Sequence, residues 1–102
     1  MQTLLLGDIS AAARALLNVP VQSRLSLLDT MIQQADAAHD YHKRLRRPHP
    51  LWGNGSLMAR ANVELQVMEP FASNIAYLDA LQIVICTLIS RKRGAILSEE
   101  ML

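Results

Sequence analysis

Between Ala80 and Ile89 the chain reads Ala-Leu-Gln-Ile-Val-Ile-Cys-Thr-Leu-Ile, apolar at nearly every helical angle. A helix of that kind has to be covered by other elements on most sides. Asp79, Gln82, Cys86 and Ser90 recur at steps of three and four and mark the one strip expected to stay uncovered. Residues 71–90 are therefore expected to form a buried helix around which the rest of the chain is arranged. A membrane span would need about 20 predominantly apolar residues, and that window, counted back from Ile89, takes in Gln82, Asp79 and Asn74. Arg91, Lys92 and Arg93 suit the C-terminal end of a helix dipole, and Gly94 is placed to cap it. No membrane is expected among the partners.

With 102 residues there is room for one domain, spanning 1–102, and for a core that needs no metal or disulfide staple. Hydrophobic residues make up 51 % but aromatics only 4 %, so the interior must be built from Leu, Ile, Val, Ala and Met. That favours helix packing over a sheet, and the expected class is all-α, a bundle of about four helices around helix 71–90.

Helical periodicity locates the other elements. Asp8 is placed to cap a first, Ala-rich helix with Ile9, Ala12, Ala13, Leu16 and Leu17 on its apolar stripe. Pro20 ends it and suits the first turn of a second helix. There Val21, Leu25, Leu28, Ile32 and Ala35 form a stripe that Leu27, Met31 and Ala38 widen and that runs on to His39 and His42. Pro48 stops this long helix. The following loop is stiffened by Pro48 and Pro50, carries the only tryptophan, Trp52, and ends in Gly53-Asn54-Gly55, which tolerates positive φ. Ser56 then caps a third helix with Met58, Ala61, Leu65 and Met68 as its face. Alternation of Val63, Leu65 and Val67 also reads as a strand, but a lone strand would have unpaired backbone groups, so a helix is preferred. Beyond Gly94 the chain is either a frayed tail or a short turn capped by Ser98.

Net charge is +1, which argues against a surface tuned as a whole for nucleic acid. Seven of the ten basic residues nevertheless cluster, as Lys43, Arg44, Arg46 and Arg47 and as Arg91, Lys92 and Arg93. Cys86 is the only cysteine, so no intrachain disulfide can form, and in its apolar segment it is expected to be buried and inert. The first residues lack the basic region and apolar length of a signal peptide, so the expected compartment is the cytoplasm.

Two weak constellations could carry chemistry. Asp36, His39, Asp40 and His42 lie within two turns of the second helix, at spacings that imidazole and carboxylate ligands of a divalent ion can use. Helix-end dipole effects account for the same residues, and no His-Glu-x-x-His or paired-cysteine signature accompanies them. An anion-binding loop is the other: Asn54, Gly55 and Ser56 lead into a helix N-terminus, with Arg46, Arg47 and His49 to add charge and Trp52 to offer a stacking face. The Walker lysine and the preceding strand of a nucleotide-binding loop are both absent, and a turn followed by an N-cap explains the same residues. No nucleophile is fixed beside a base, so no catalytic residue and no cofactor are expected, and an enzyme is the less favoured class.

The runs His49-Pro50-Leu51-Trp52-Gly53-Asn54-Gly55-Ser56-Leu57-Met58 and Gly7-Asp8-Ile9-Ser10-Ala11-Ala12-Ala13-Arg14 resemble a family of small uncharacterised alphaproteobacterial proteins. The resemblance covers roughly residues 5 to 60 and implies a bacterial, cytoplasmic setting without an activity.

The resulting expectation is a small helical protein-protein interaction module that self-associates, as a two-fold homodimer, or binds another protein. Its motive is surplus apolar surface, with Leu81, Val84, Ile85 and Leu88 as candidate interface residues. The alternative is an anion, nucleotide or nucleic-acid binding module centred on loop 46–56.

Overall fold

Asp8 defines where the first helix begins. Its backbone N–H donates to the Leu5 carbonyl at 3.0 Å, and its carboxylate reaches back to accept the Leu5 N–H at 2.8 Å. Both bonds secure groups that a helix start would otherwise leave unpaired. Asp8 is thus the third residue of α1, Leu6–Leu16, rather than the expected cap ahead of it. The computed structural model describes residues 3–64, 68 and 70–101, with side chains described as far as 95.

Pro20 separates α1 from α2, Val21–Leu45, and Arg24 closes the corner by donating from Nε to the Leu16 carbonyl at 3.0 Å. Arg46 ends α2 in the left-handed conformation, φ 55°, its N–H bonded to the His42 carbonyl at 2.8 Å. Ser56 caps α3, Leu57–Ala61, as its sequence position predicts, its Oγ accepting the Ala59 N–H at 3.0 Å. Asn74 caps α4, Ile75–Met101, accepting the Tyr77 N–H at 3.1 Å. The all-α, four-helix architecture is the expected one, and among the described residues the only bridge is the isolated pairing of His49 with Gly53.

The centre of the fold is α1. It packs against α2, α3 and α4, and Ala11, Ala12, Ala13, Ala15 and Leu16 are all fully buried. Helices approach to about 8–10 Å depending on the side chains between them, and four alanines let neighbours close in from several sides at once. Leu28, Met31, Ile32, Leu57 and Val84 then fill the remaining space. A hydrogen bond of 2.8 Å between Ser10 Oγ and Tyr77 Oη ties α1 to α4.

Helix α4 consequently buries one face only. Tyr77, Ala80, Val84 and Leu88 point inward, while Ile75, Leu78, Ile85 and Ile89 are exposed. The short alanine helix takes the central place that hydropathy assigns to residues 71–90, because small side chains permit close approach on more faces than large ones do. The polar strip of Asp79, Gln82, Cys86 and Ser90 is exposed as expected, so Cys86 is not the buried thiol its apolar neighbours suggest. Gly94 does not cap the helix: α4 runs through it to Met101, and a Cβ there would meet nothing within 4 Å.

Three smaller differences follow from the packing. Val21 and Leu25, first on the α2 stripe, are exposed, since α1 ends at Leu16 and leaves their face uncovered. On α3 the buried residues are Leu57, Arg60 and Ala61, with Met58 partly exposed. That helix stops at Ala61, Val63 and Glu64 lie in a turn and bend, and the question of helix or strand at 65–67 lies outside the described residues. Among the described residues no helix is long and apolar enough to cross a membrane.

Ala13→Leu is expected to destabilise the fold by about 1–3 kcal/mol through overpacking at the α1 hub. In the same urea titration Gly94→Ala should stabilise it by roughly 0.5–1 kcal/mol, since an unobstructed helix interior favours alanine.

Candidate functional site

Two helix N-termini converge on Asp8, which is only 4 % exposed. Besides the Leu5 N–H it accepts the Met58 N–H at 2.9 Å, fifty residues away in sequence. Both donors lie at the positive ends of helix dipoles, where a carboxylate is favoured. The anion that the loop sequence calls for at the start of α3 is therefore supplied by the chain itself. Of the neighbouring donors, Ala59 N–H is taken by Ser56 Oγ, and Ser56 N–H by Asn54 Oδ1 at 3.1 Å.

Two glycines make this junction sterically feasible. Gly55 is buried with φ 101°, and a Cβ there would lie 2.5 Å from the His39 Cα on α2. Gly53, φ 81°, would bring a Cβ to 2.8 Å from the Ala59 Cβ. Loop and helix α2 thus touch through backbone at a point where only glycine fits.

His49 organises the first half of the loop. Its backbone exchanges hydrogen bonds with Gly53 at 2.8 and 3.1 Å, and its Nδ1 accepts the Leu51 and Trp52 N–H groups at 3.0 and 3.2 Å. Accepting at Nδ1 puts the proton of a neutral ring on Nε2. The ring also stacks on Trp52, with centroids 4.4 Å apart and planes within 6°, and meets Tyr41 edge-on at 4.9 Å. One face of Trp52, the proposed stacking surface, is already covered. Arg46 and Arg47 are exposed, while His49, Trp52, Asn54 and Ser56 are joined by short-range hydrogen bonds within the loop and to the start of α3.

The metal candidates do not assemble. Among the described residues no three His, Cys, Asp or Glu side chains are placed to share an ion. Asp36 lines a cleft with Thr3, Ile32, Arg91 and Lys92, His39 lies under Gly55, and Asp40 is exposed. His42, near the end of α2, is half-buried, and the four side chains are thus divided among the cleft, the loop and solvent.

Arg60, read from sequence as scattered charge, is 6 % exposed. It donates from Nε to Gln34 Oε1 at 2.5 Å, joining α3 to α2, and pairs with Glu64 at 3.2 Å. Its Nη1, the Nδ1 of His39 and the Nε of Arg14 are buried without a hydrogen-bond partner among the described residues. The only sequence signal for its burial is its place three residues after Leu57, on the face that α3 turns inward.

The remaining surface feature is the outer face of α4. Ile75 is 72 % exposed, and Leu78, Ile85 and Ile89 are each exposed to 42–43 %. Of the residues expected at an interface, Ile85 lies on this face and Leu81 is half-buried, but Val84 and Leu88 belong to the chain's own core against α1. Grooves flank the helix on both sides: one of about 360 Å³ beside Leu4 and Ile9, and one of about 670 Å³ beside Val21 and Leu25 of α2.

The chain belongs to the family described as a domain of unknown function, DUF7742, whose model matches residues 2–88. No curated protein and no solved structure matches it.

Asp8→Ala should cost roughly 2 kcal/mol or more in a denaturant titration, since it removes two part-buried hydrogen bonds to a carboxylate, each worth about 1.5–3 kcal/mol. Inorganic phosphate and duplex DNA at low salt are expected to leave Trp52 fluorescence unchanged, because Asp8 already occupies the start of α3 and His49 covers one face of the indole; a salt-dependent quench removed by Arg47→Ala would show the opposite.

Proposed function

We propose that the protein is a small helical protein-protein interaction module that self-associates, with the outer face of α4 as its contact surface. One observation carries this reading: among the described residues, the helix that holds the long apolar run Ala80–Ile89 turns four large aliphatic side chains to solvent. Together they leave on the order of a few hundred Å² of apolar surface exposed, comparable to the largest apolar patch of a typical monomer, which is often functional. The flanking grooves widen the face toward α1 and α2.

The lone thiol supports a reducing setting. Cys86 is exposed beside this face, a position compatible with a cytoplasm that keeps thiols reduced. The bacterial origin implied by the loop motif accords with it.

Amide hydrogen exchange at low and at high micromolar protein tests the reading. Added protection at high concentration is expected in α4 around residues 78–90, with none at the C-terminal end of α2. Exchange independent of concentration throughout the chain would refute self-association through α4.

A further inference from the structure

We infer that the surface apposed to α4 is a second copy of this chain, packed antiparallel about a two-fold axis at Gln82. The inference rests on self-association through α4's outer face and goes on to specify orientation and register.

The first argument is spacing. The outward residues are Ile75, Leu78, Gln82, Ile85 and Ile89, at steps of three, four, three and four. This is the 3.5-residue repeat of a two-helix seam, and it is separate from the inward stripe of Tyr77, Ala80, Val84 and Leu88 that packs on α1. A helix that only covered its own core would have no use for the second stripe. From Ile75 to Ile89 the seam extends about 21 Å at 1.5 Å per residue.

The second argument is the polar residue at the middle of the seam. Gln82 lies seven residues from Ile75 and seven from Ile89. An amide pressed against an apolar partner would lose its hydrogen bonds to water at a cost of about 1–3 kcal/mol. A two-fold axis through this position brings the same amide from the other copy, and a carboxamide is self-complementary: each C=O accepts from the other's NH₂. The same axis sets Ile75 against Ile89 and Leu78 close to Ile85 of the other copy, so every aliphatic residue of the seam meets another.

Charge fixes the direction. Arg91, Lys92 and Arg93 are all exposed at one end of the seam. A parallel pair would place six cations side by side at an interaxial separation of about 8–10 Å. In the antiparallel pair each triplet sits about 15 Å from the axis along its helix. The two are then roughly 30 Å apart, several times the Debye length of about 8 Å at physiological salt.

Sedimentation equilibrium and disulfide trapping on the full chain test this. Wild-type protein is expected to dimerise in the micromolar range. Ile85→Glu should weaken the dimer by about tenfold or more with helicity by circular dichroism unchanged, while Leu51→Glu, exposed but off the seam, should not. For register, Ile75→Cys and Ile89→Cys chains, each also carrying Cys86→Ser, are mixed and mildly oxidised. Mass spectrometry should show the mixed 75-to-89 disulfide in excess over either symmetric one. Symmetric disulfides in excess would overturn the antiparallel register and leave the contact surface standing. A wild-type monomer at high micromolar concentration would overturn self-association and the register with it, and a dimer indifferent to Ile85→Glu would overturn the assignment of the face and the register built on it.

Discussion

The Asp8 carboxylate holds together two helix N-termini that the sequence places fifty residues apart, and much of the structure follows from where that junction sits. By accepting the Leu5 and Met58 N–H groups it fixes how α3 approaches α1. Such a group is tolerated in the interior because each buried oxygen meets an N–H at the positive end of a helix. The loop before α3 is then drawn over α2, where Gly55 passes His39 at a distance that admits no side chain. Arg60, one turn further on, reaches α2 through Gln34. Junction, loop and buried arginine form one continuous connection between the three helices.

With α1 so anchored, its alanines decide how the last helix is used. α4 docks on them through Tyr77, Ala80, Val84 and Leu88, and the Tyr77 hydroxyl bonds to Ser10. A hub this slender is covered by few residues. Nothing among the described residues remains to cover the opposite side of α4, so its outer aliphatic row is left facing water. The exposed aliphatic row is thus a consequence of the way the core is closed.

How far the sequence foretold this depends on which physical signal each element carries. The long period of α2, the proline between α1 and α2, and Ser56 at the head of α3 report local backbone chemistry, and all three read correctly. The prominence of residues 71–90 reports only how apolar they are. Hydropathy ranks Ile and Leu above Ala, whereas packing at a helix crossing rewards small size, so the central role of α1 was hidden. The sequence assigns Val84 and Leu88 to an interface for a different reason: periodicity groups residues into faces but does not say which face turns inward. In the loop, Gly53 and Gly55 were recognised as sites of positive φ, and the helix N-terminus after them as an anion site. That the anion is Asp8 depends on a contact between distant segments, which no local pattern encodes.

The most direct test of this account is an NMR measurement of scalar coupling across the hydrogen bond from the Met58 amide nitrogen to the Asp8 carboxyl carbon, in isotopically labelled protein at low concentration. A resolved coupling is expected, with a Met58 amide that exchanges as slowly as the buried amides of α1. Absence of the coupling, together with Met58 exchange at the rate of an unprotected amide, would contradict it, because α3 would then not be fixed to α1 by the carboxylate on which the rest of the packing depends.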